Sequence, residues 1–153
     1  MLQLIVFDMA GTTVDEDNLV YKTIHQALER AGYSFAFEEV LRQAAGKEKM
    51  QAIKDLITPL VAKEQLEADA RKVFDDFNGS LLSAYRAFPI QPQPGTEEVF
   101  RQLRERGIRV VLNTGYSREI VGLILERMNW TDHPLIDMVL TADDVDQGRP
   151  HPE

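Results

Sequence analysis

The sequence predicts an α/β fold in which a parallel sheet is interrupted, after its first strand, by an all-helical insert. Three observations point there. The chain opens on a short apolar run, Leu2–Phe7. The apolar period then turns helical for roughly seventy residues. Beyond a proline-rich crossing, strand and helix patterns alternate.

Residues 2–7 are short, apolar and rich in branched side chains, and Gly11-Thr12-Thr13 follows as a turn. From Asp17 the pattern is helical: Val20, Ile24, Ala27, Leu28 and Ala31 form one stripe, and Gly32 is a good stop. A second helix is expected over Glu38–Ala45 and a third over Lys49–Ile57, ended by Pro59. A fourth, longer helix carries Leu66, Ala70, Val73, Phe74, Phe77, Leu81 and Tyr85 on one face, with Gly79 arguing against one unbroken rod.

Pro89, Pro92, Pro94 and Gly95 then mark a hinge. A helix over Glu97–Arg106, with Val99, Phe100 and Leu103 inward, stops at Gly107. Ile108–Asn113 reads as a strand, Arg118–Met128 as a helix and Met138–Thr141 as a strand. Short links between alternating elements predict a parallel sheet covered on both faces. The organisation is thus a discontinuous core, 1–16 and 88–153, and a helical unit, 17–87.

A chain of 153 residues that is 44% hydrophobic can bury a real core. Its net charge of −8 disfavours nucleic acid and anionic membranes as partners, although a local pocket can still hold an anionic substrate. Without cysteine there are no disulfides and no thiolate metal sites. The N-terminus lacks a signal-peptide pattern, and no apolar run reaches the ~20 residues a bilayer span needs. A cytoplasmic protein is expected.

Asp8 closes the first strand, at the carboxyl end where open α/β sheets place ligands. In Asp8-Met9-Ala10-Gly11-Thr12-Thr13-Val14-Asp15, Gly11 permits close backbone approach, and the threonine hydroxyls can donate to phosphate oxygens. A carboxylate here can also simply cap the following turn.

This octapeptide resembles the first motif of the haloacid-dehalogenase superfamily. Leu112-Asn113-Thr114-Gly115 resembles the second, whose threonine holds the transferring phosphoryl group. Gly148-Arg149-Pro150-His151-Pro152 resembles the third, which supplies a cation. The resemblance spans nearly the whole chain and implies a Rossmann-like core with a helical cap. It implies Asp8 as nucleophile on phosphorus, through an aspartyl-phosphate that water hydrolyses, with Thr114 and Arg149 assisting. It further implies Mg²⁺ held by Asp8, by the backbone carbonyl of Ala10 and by aspartates of a fourth motif. No paired-aspartate segment follows Arg149, so the chain reads as truncated before its last core strands. Residues 1–153 alone are expected to bind Mg²⁺ weakly, turn over poorly and leave a strand edge unpaired.

Ala10 departs from the commoner aspartate that serves phosphatases and mutases as acid and base; alanine forgoes a factor of ~10²–10⁴ for poor leaving groups. The phosphonatase branch, which cleaves the phosphorus–carbon bond of phosphonoacetaldehyde, has alanine there. The chain resembles that branch also in Leu103-Arg104-Glu105-Arg106-Gly107-Ile108, in Thr114-Gly115-Tyr116-Ser117-Arg118-Glu119 and in Asp143-Asp144-Val145. Gly11, Thr12, Gly115, Tyr116 and Arg118 are the phosphate- and substrate-binding residues this implies. Phosphonatases form an imine on a cap lysine three residues after a glycine, and Gly46-Lys47-Glu48-Lys49 puts Lys49 at that spacing. Such a lysine needs desolvation or a neighbouring cation, for which Lys47 or Arg149 could serve; a solvated surface residue is the plain alternative. Ala52, Met9 and Asn18 stand where that branch has histidine, tryptophan and cysteine.

His25, His133 and His151 follow no metal-ligand spacing. Asp143-Asp144 is expected to do turn and helix-cap work. The substrate class is a small phosphonate or phosphorylated metabolite, and the relatives' habit of pairing through caps implies a homodimer. A phosphomonoesterase and an inactive binding descendant remain the alternatives.

Overall fold

The computed structural model describes residues 2–149 and 151. Two compact units emerge: residues up to Asn18 with Phe88–Asp146, and Leu19–Ala87 with the residues from Gln147 onward.

In the first unit, β1 (Leu4–Asp8), β4 (Arg109–Asn113) and β5 (Met138–Leu140) form a parallel sheet in the order β1-β4-β5 among the described residues. Leu4 pairs with Arg109 and Asp8 with Asn113, so the two strands end level. A second ladder was not evident from the sequence. β2 (Val14–Asp15) runs antiparallel to β3 (Gln91–Pro92), and the Gln93 amide donates to the Thr13 carbonyl at 3.0 Å. This ladder clamps the chain's departure from the sheet to its return. Pro92 is tolerated because the ladder is only two residues long and Pro92 lies at its end.

β4 is covered on both faces, with Val110, Val111 and Leu112 buried. β1 is not: it lies at the sheet edge among the described residues, and Leu4 and Val6 are exposed. Expected coverage of both sheet faces therefore holds for the central strand only. α5 (Thr96–Glu105) lays Phe100 against Phe7, ring centroids 5.3 Å apart, and against Trp130 at 5.7 Å. The sequence-based expectation placed Val99 inward as well; it is exposed, because the helix turns only Thr96 and Phe100 fully into the core. α6 (Arg118–Arg127) buries Ile120, Val121 and Ile124, a helical 3–4 spacing.

The second unit comprises α1 (Leu19–Arg30), α2 (Phe37–Ala44), α3 (Lys49–Ile57) and α4 (Lys63–Ala87), with one 3-10 turn at Thr58–Leu60. α1 buries Val20, Thr23, Ile24, Ala27 and Leu28. Ala31 falls outside the helix and is exposed, since Gly32 at φ +89° turns the chain away. α4 is unbroken over 25 residues despite Gly79. Gly79 sits on the exposed face, where glycine costs about 1 kcal/mol relative to alanine. Buried Ala70, Val73, Phe77, Leu81 and Tyr85 outweigh that cost by packing. No helix among the described residues is long and apolar enough to cross a membrane.

Candidate functional site

The carboxyl ends of β1 and β4 build the site in the first unit. Asp8 is half-buried at the last position of β1, and its register partner Asn113 is followed immediately by Thr114. The backbone then turns back sharply. The amides of Thr12, Thr13 and Val14 all donate to the Met9 carbonyl, at 3.1, 2.9 and 2.9 Å, and Gly11 at φ +75° allows the reversal. Met9 is fully buried beneath it.

The two threonines of this turn do different work. Thr13 is buried and its hydroxyl donates to the Asp8 carbonyl at 2.9 Å, so it holds the strand end in place. That hydroxyl is therefore committed to the backbone rather than offered to a phosphate. Thr12 is exposed beside a cavity of about 230 Å³ that Phe7, Pro94, Thr96 and Phe100 also line. Gly11 is exposed as well.

On the β4 side, Thr114 and Gly115 are buried, and the Thr114 hydroxyl accepts from the Tyr116 amide at 3.3 Å. Tyr116 is buried, with its carbonyl taking the Ala142 amide at 2.9 Å. Arg118 is exposed; its amide donates to Asp143 at 2.7 Å and its guanidinium pairs with Asp144. Asp143 and Asp144 thus do the turn and cap work expected of them. Asp144 accepts from the Thr141 amide and hydroxyl at 2.8 and 2.7 Å, completing a capping box.

Those bonds hold the Asp144 carboxyl below its usual range, the backbone amide of Thr141 first, then its hydroxyl, with Arg118 adding a smaller effect against the opposing burial. A depressed folded-state pKa adds stability above the unfolded value of about 3.9, lost as pH falls through the folded one. Thr141→Ala, which removes the hydroxyl bond and keeps the amide, is expected to raise the Asp144 midpoint part of the way back, as read by carboxyl-carbon NMR.

The oxygen set suits a hard dication. The Ala10–Val14 bridge is made by Val14 N to Met9 O and Gly11 N to Val14 O, so the Ala10 carbonyl takes part in neither bond. A carboxylate and a carbonyl are the donors Mg²⁺ prefers. Among the described residues no group of three or more His, Cys, Asp or Glu gathers as a metal cluster.

The second unit holds Lys49 and Arg149. Lys49 is buried, 6% exposed, at the first turn of α3, and so is not the solvated residue of the plain alternative. Its ammonium donates to the Lys47 carbonyl at 2.8 Å and the Ala44 carbonyl at 3.3 Å. Lys47 is not a free neighbouring cation, because its ammonium is bonded to Asp55 at 2.7 Å. Burial would raise the Asp55 carboxyl; bonds from Lys47 and Gln51 overcome this and hold it below its usual range.

Sequence reasoning missed Glu48. It caps α3, accepting from the Met50 and Gln51 amides at 2.8 Å each, and its own amide donates to the Arg149 carbonyl at 2.9 Å. The helix start at Lys49 was the available signal, with an acceptor one residue before it. Of the Gly148–Pro152 run, Pro150 and Pro152 lie outside the described residues, and His151 is exposed. A Cβ at Gly148 would stand 2.8 and 2.9 Å from the Glu48 Cγ and Cβ, stem atoms that cannot swing aside. Gly148→Ala is expected to break the Glu48–Arg149 backbone bond, seen as at least about tenfold faster hydrogen exchange at the Glu48 amide.

The haloacid dehalogenase-like hydrolase family matches residues 2–153. The phosphonoacetaldehyde hydrolase of Bacillus cereus is 31% identical over 99% of this chain, which spans 60% of that relative's length. A phosphonoacetaldehyde hydrolase-like protein from Oleispira antarctica superposes with a TM-score of 0.80 at 27% identity, over 99% of this chain and 57% of that one. A hydrolase from Pseudomonas syringae, 19% identical with a TM-score of 0.72 over 99% of this chain and 66% of that one, shares the fold. With a family match that runs over nearly its whole length, the chain belongs to the haloacid dehalogenase-like hydrolases.

Proposed function

We propose that the protein is a Mg²⁺-dependent, phosphonatase-like hydrolase in which Asp8 attacks the phosphorus of a small organophosphonate. The observation that carries this reading is the level ending of β1 and β4, which brings a half-buried carboxylate beside the strand end that bears Thr114. In phosphoryl transfer a nucleophile and a phosphate-holding hydroxyl must sit side by side.

The substrate aldehyde condenses with the Lys49 amine, releasing water and leaving a protonated imine. An Asp8 oxygen attacks phosphorus; the phosphorus–carbon electron pair moves into the imine, giving an enamine on Lys49 and an acyl phosphate on Asp8. Protonation at carbon and hydrolysis free acetaldehyde and the lysine. Water cleaves the aspartyl-phosphate, releasing phosphate and restoring Asp8. Ala10 lacks a proton to give, which suits a leaving carbon whose electrons the imine receives. Asp8 and the substrate are both anions, and at ~4 Å and an effective dielectric of ~20 each unit-charge pair costs about 4 kcal/mol. Bound Mg²⁺ would neutralise that repulsion, held by Asp8 and the Ala10 carbonyl, with the Arg149 guanidinium as a second cation. Gly11, Thr12, Gly115, Tyr116 and Arg118 would serve the phosphate and the rest of the substrate.

Sodium borohydride with phosphonoacetaldehyde is expected to trap a stable adduct on Lys49 of the complete protein, read by peptide mass spectrometry. Lys49→Arg is expected to abolish it. An intact, phosphate-releasing enzyme that never forms the adduct would remove the imine from the scheme. A second reading, hydrolysis of phosphate esters with good leaving groups, is favoured by Ala52: it is fully buried where the phosphonatase resemblance calls for histidine. A phosphate-ester panel separates the two readings.

A further inference from the structure

Lys49 does not sit in a neutral slot. Its ammonium lies 5.5 Å from the centroid of the Tyr21 ring, from α1, and donates hydrogen bonds to the Lys47 and Ala44 carbonyls at 2.8 and 3.3 Å. Each of these three contacts favours the charged amine: carbonyl dipoles point negative ends at it, and the ring presents the negative face of its quadrupole. The flanking charges are engaged elsewhere, Lys47 with Asp55 and Glu48 with the α3 amides. Burial works the other way, disfavouring charge.

We propose that Tyr21 is a positioning residue for Lys49: its ring face, with the two carbonyls, forms a seat that stores the amine as a cation and restrains its nucleophilicity. The amine reacts only on leaving this seat. A carbonyl-bearing substrate must therefore compete with the seat, which selects for substrates whose own phosphorus group is already bound and can hold the aldehyde in place. This rests on the imine reading for its catalytic meaning, but the seat itself does not.

Tyr21 is half-buried and Lys49 lies at a helix start, so truncation alone could perturb packing. The test therefore replaces Tyr21 by phenylalanine and by phenylalanines carrying one, two and three ring fluorines, which drain the quadrupole at nearly constant volume. Trace acetylation by acetic anhydride at pH 8, quantified by peptide mass spectrometry, compares Lys49 with the exposed Lys63 in the same chain. Phenylalanine is expected to keep the Lys49-to-Lys63 ratio within about twofold of the native value. The fluorinated series is expected to raise it stepwise, by between about two- and thirtyfold overall. A flat series with unchanged circular dichroism overturns the proposal, and so does a full rise already in phenylalanine, which would assign the effect to the hydroxyl. No phosphonate is used. A graded series without a borohydride adduct would therefore leave the seat standing and remove the imine role; an adduct with a flat series would do the reverse.

Discussion

Asp8→Asn in the complete protein is expected to lower kcat/KM on its phosphorus substrate by about three orders of magnitude or more, with little change in stability. The side chains are nearly isosteric, but a carboxylate is an anion with lone pairs to share, and an amide has neither the charge nor the basicity to form the acyl phosphate. The fold should not notice. Asp8 is held through its backbone, paired in the β1–β4 ladder and accepting the Thr13 hydroxyl at 2.9 Å, and these groups are unchanged by the substitution. The measurement is phosphate release with substrate in excess, beside a thermal melt of the same preparation. Turnover within tenfold of the native protein would refute Asp8 as nucleophile and, with it, both enzymatic readings. A lost melt would instead mean that the carboxylate has a structural task.

The largest stability effect is expected at Trp130. Its ring is 2% exposed and continues the stack of Phe7 and Phe100, and its Nε1 donates to Glu97 at 2.8 Å. Trp130→Ala removes the largest buried side chain of the unit and opens a cavity in the layer under β1, at a cost of about 3–5 kcal/mol. For a chain of this length that lowers Tm by roughly 10 °C. Trp130→Phe keeps most of the ring contact but leaves the Glu97 carboxylate without the indole donor, for about 1 kcal/mol. Urea melts of the three proteins should rank native, Phe, Ala. An alanine variant as stable as the native protein would mean that the aromatic stack does not hold α5 to the sheet.

Helix periods were legible because they are local. The stripes on α1 and α4 come from side chains three and four apart, which must share a face whatever the rest of the chain does. Lys49–Ile57 was bounded correctly, with Pro59 to end it, although the cap that Glu48 supplies at its start went unread. Burial at element margins was less legible. Val99 and Ala31 have the right spacing to be inside, yet one faces out and the other lies beyond its helix. The two-residue β2–β3 ladder joins segments some seventy-five residues apart and has no periodicity to announce it.

The sequence by itself determined the order of elements and the place of Asp8 at a strand end. It also determined the glycine turn after that residue and the family, because these depend on residue type and near neighbours. Only the tertiary structure decided that Thr13 serves the backbone while Thr12 stays exposed, and that Arg118 is paired with Asp144. It likewise decided that Lys49 is buried over Tyr21 among carbonyl oxygens. The physical reason is range. A turn is chosen by the dihedral limits of adjacent residues, whereas an ammonium's partners are whatever the packing of α1 on its neighbours brings within a few ångströms.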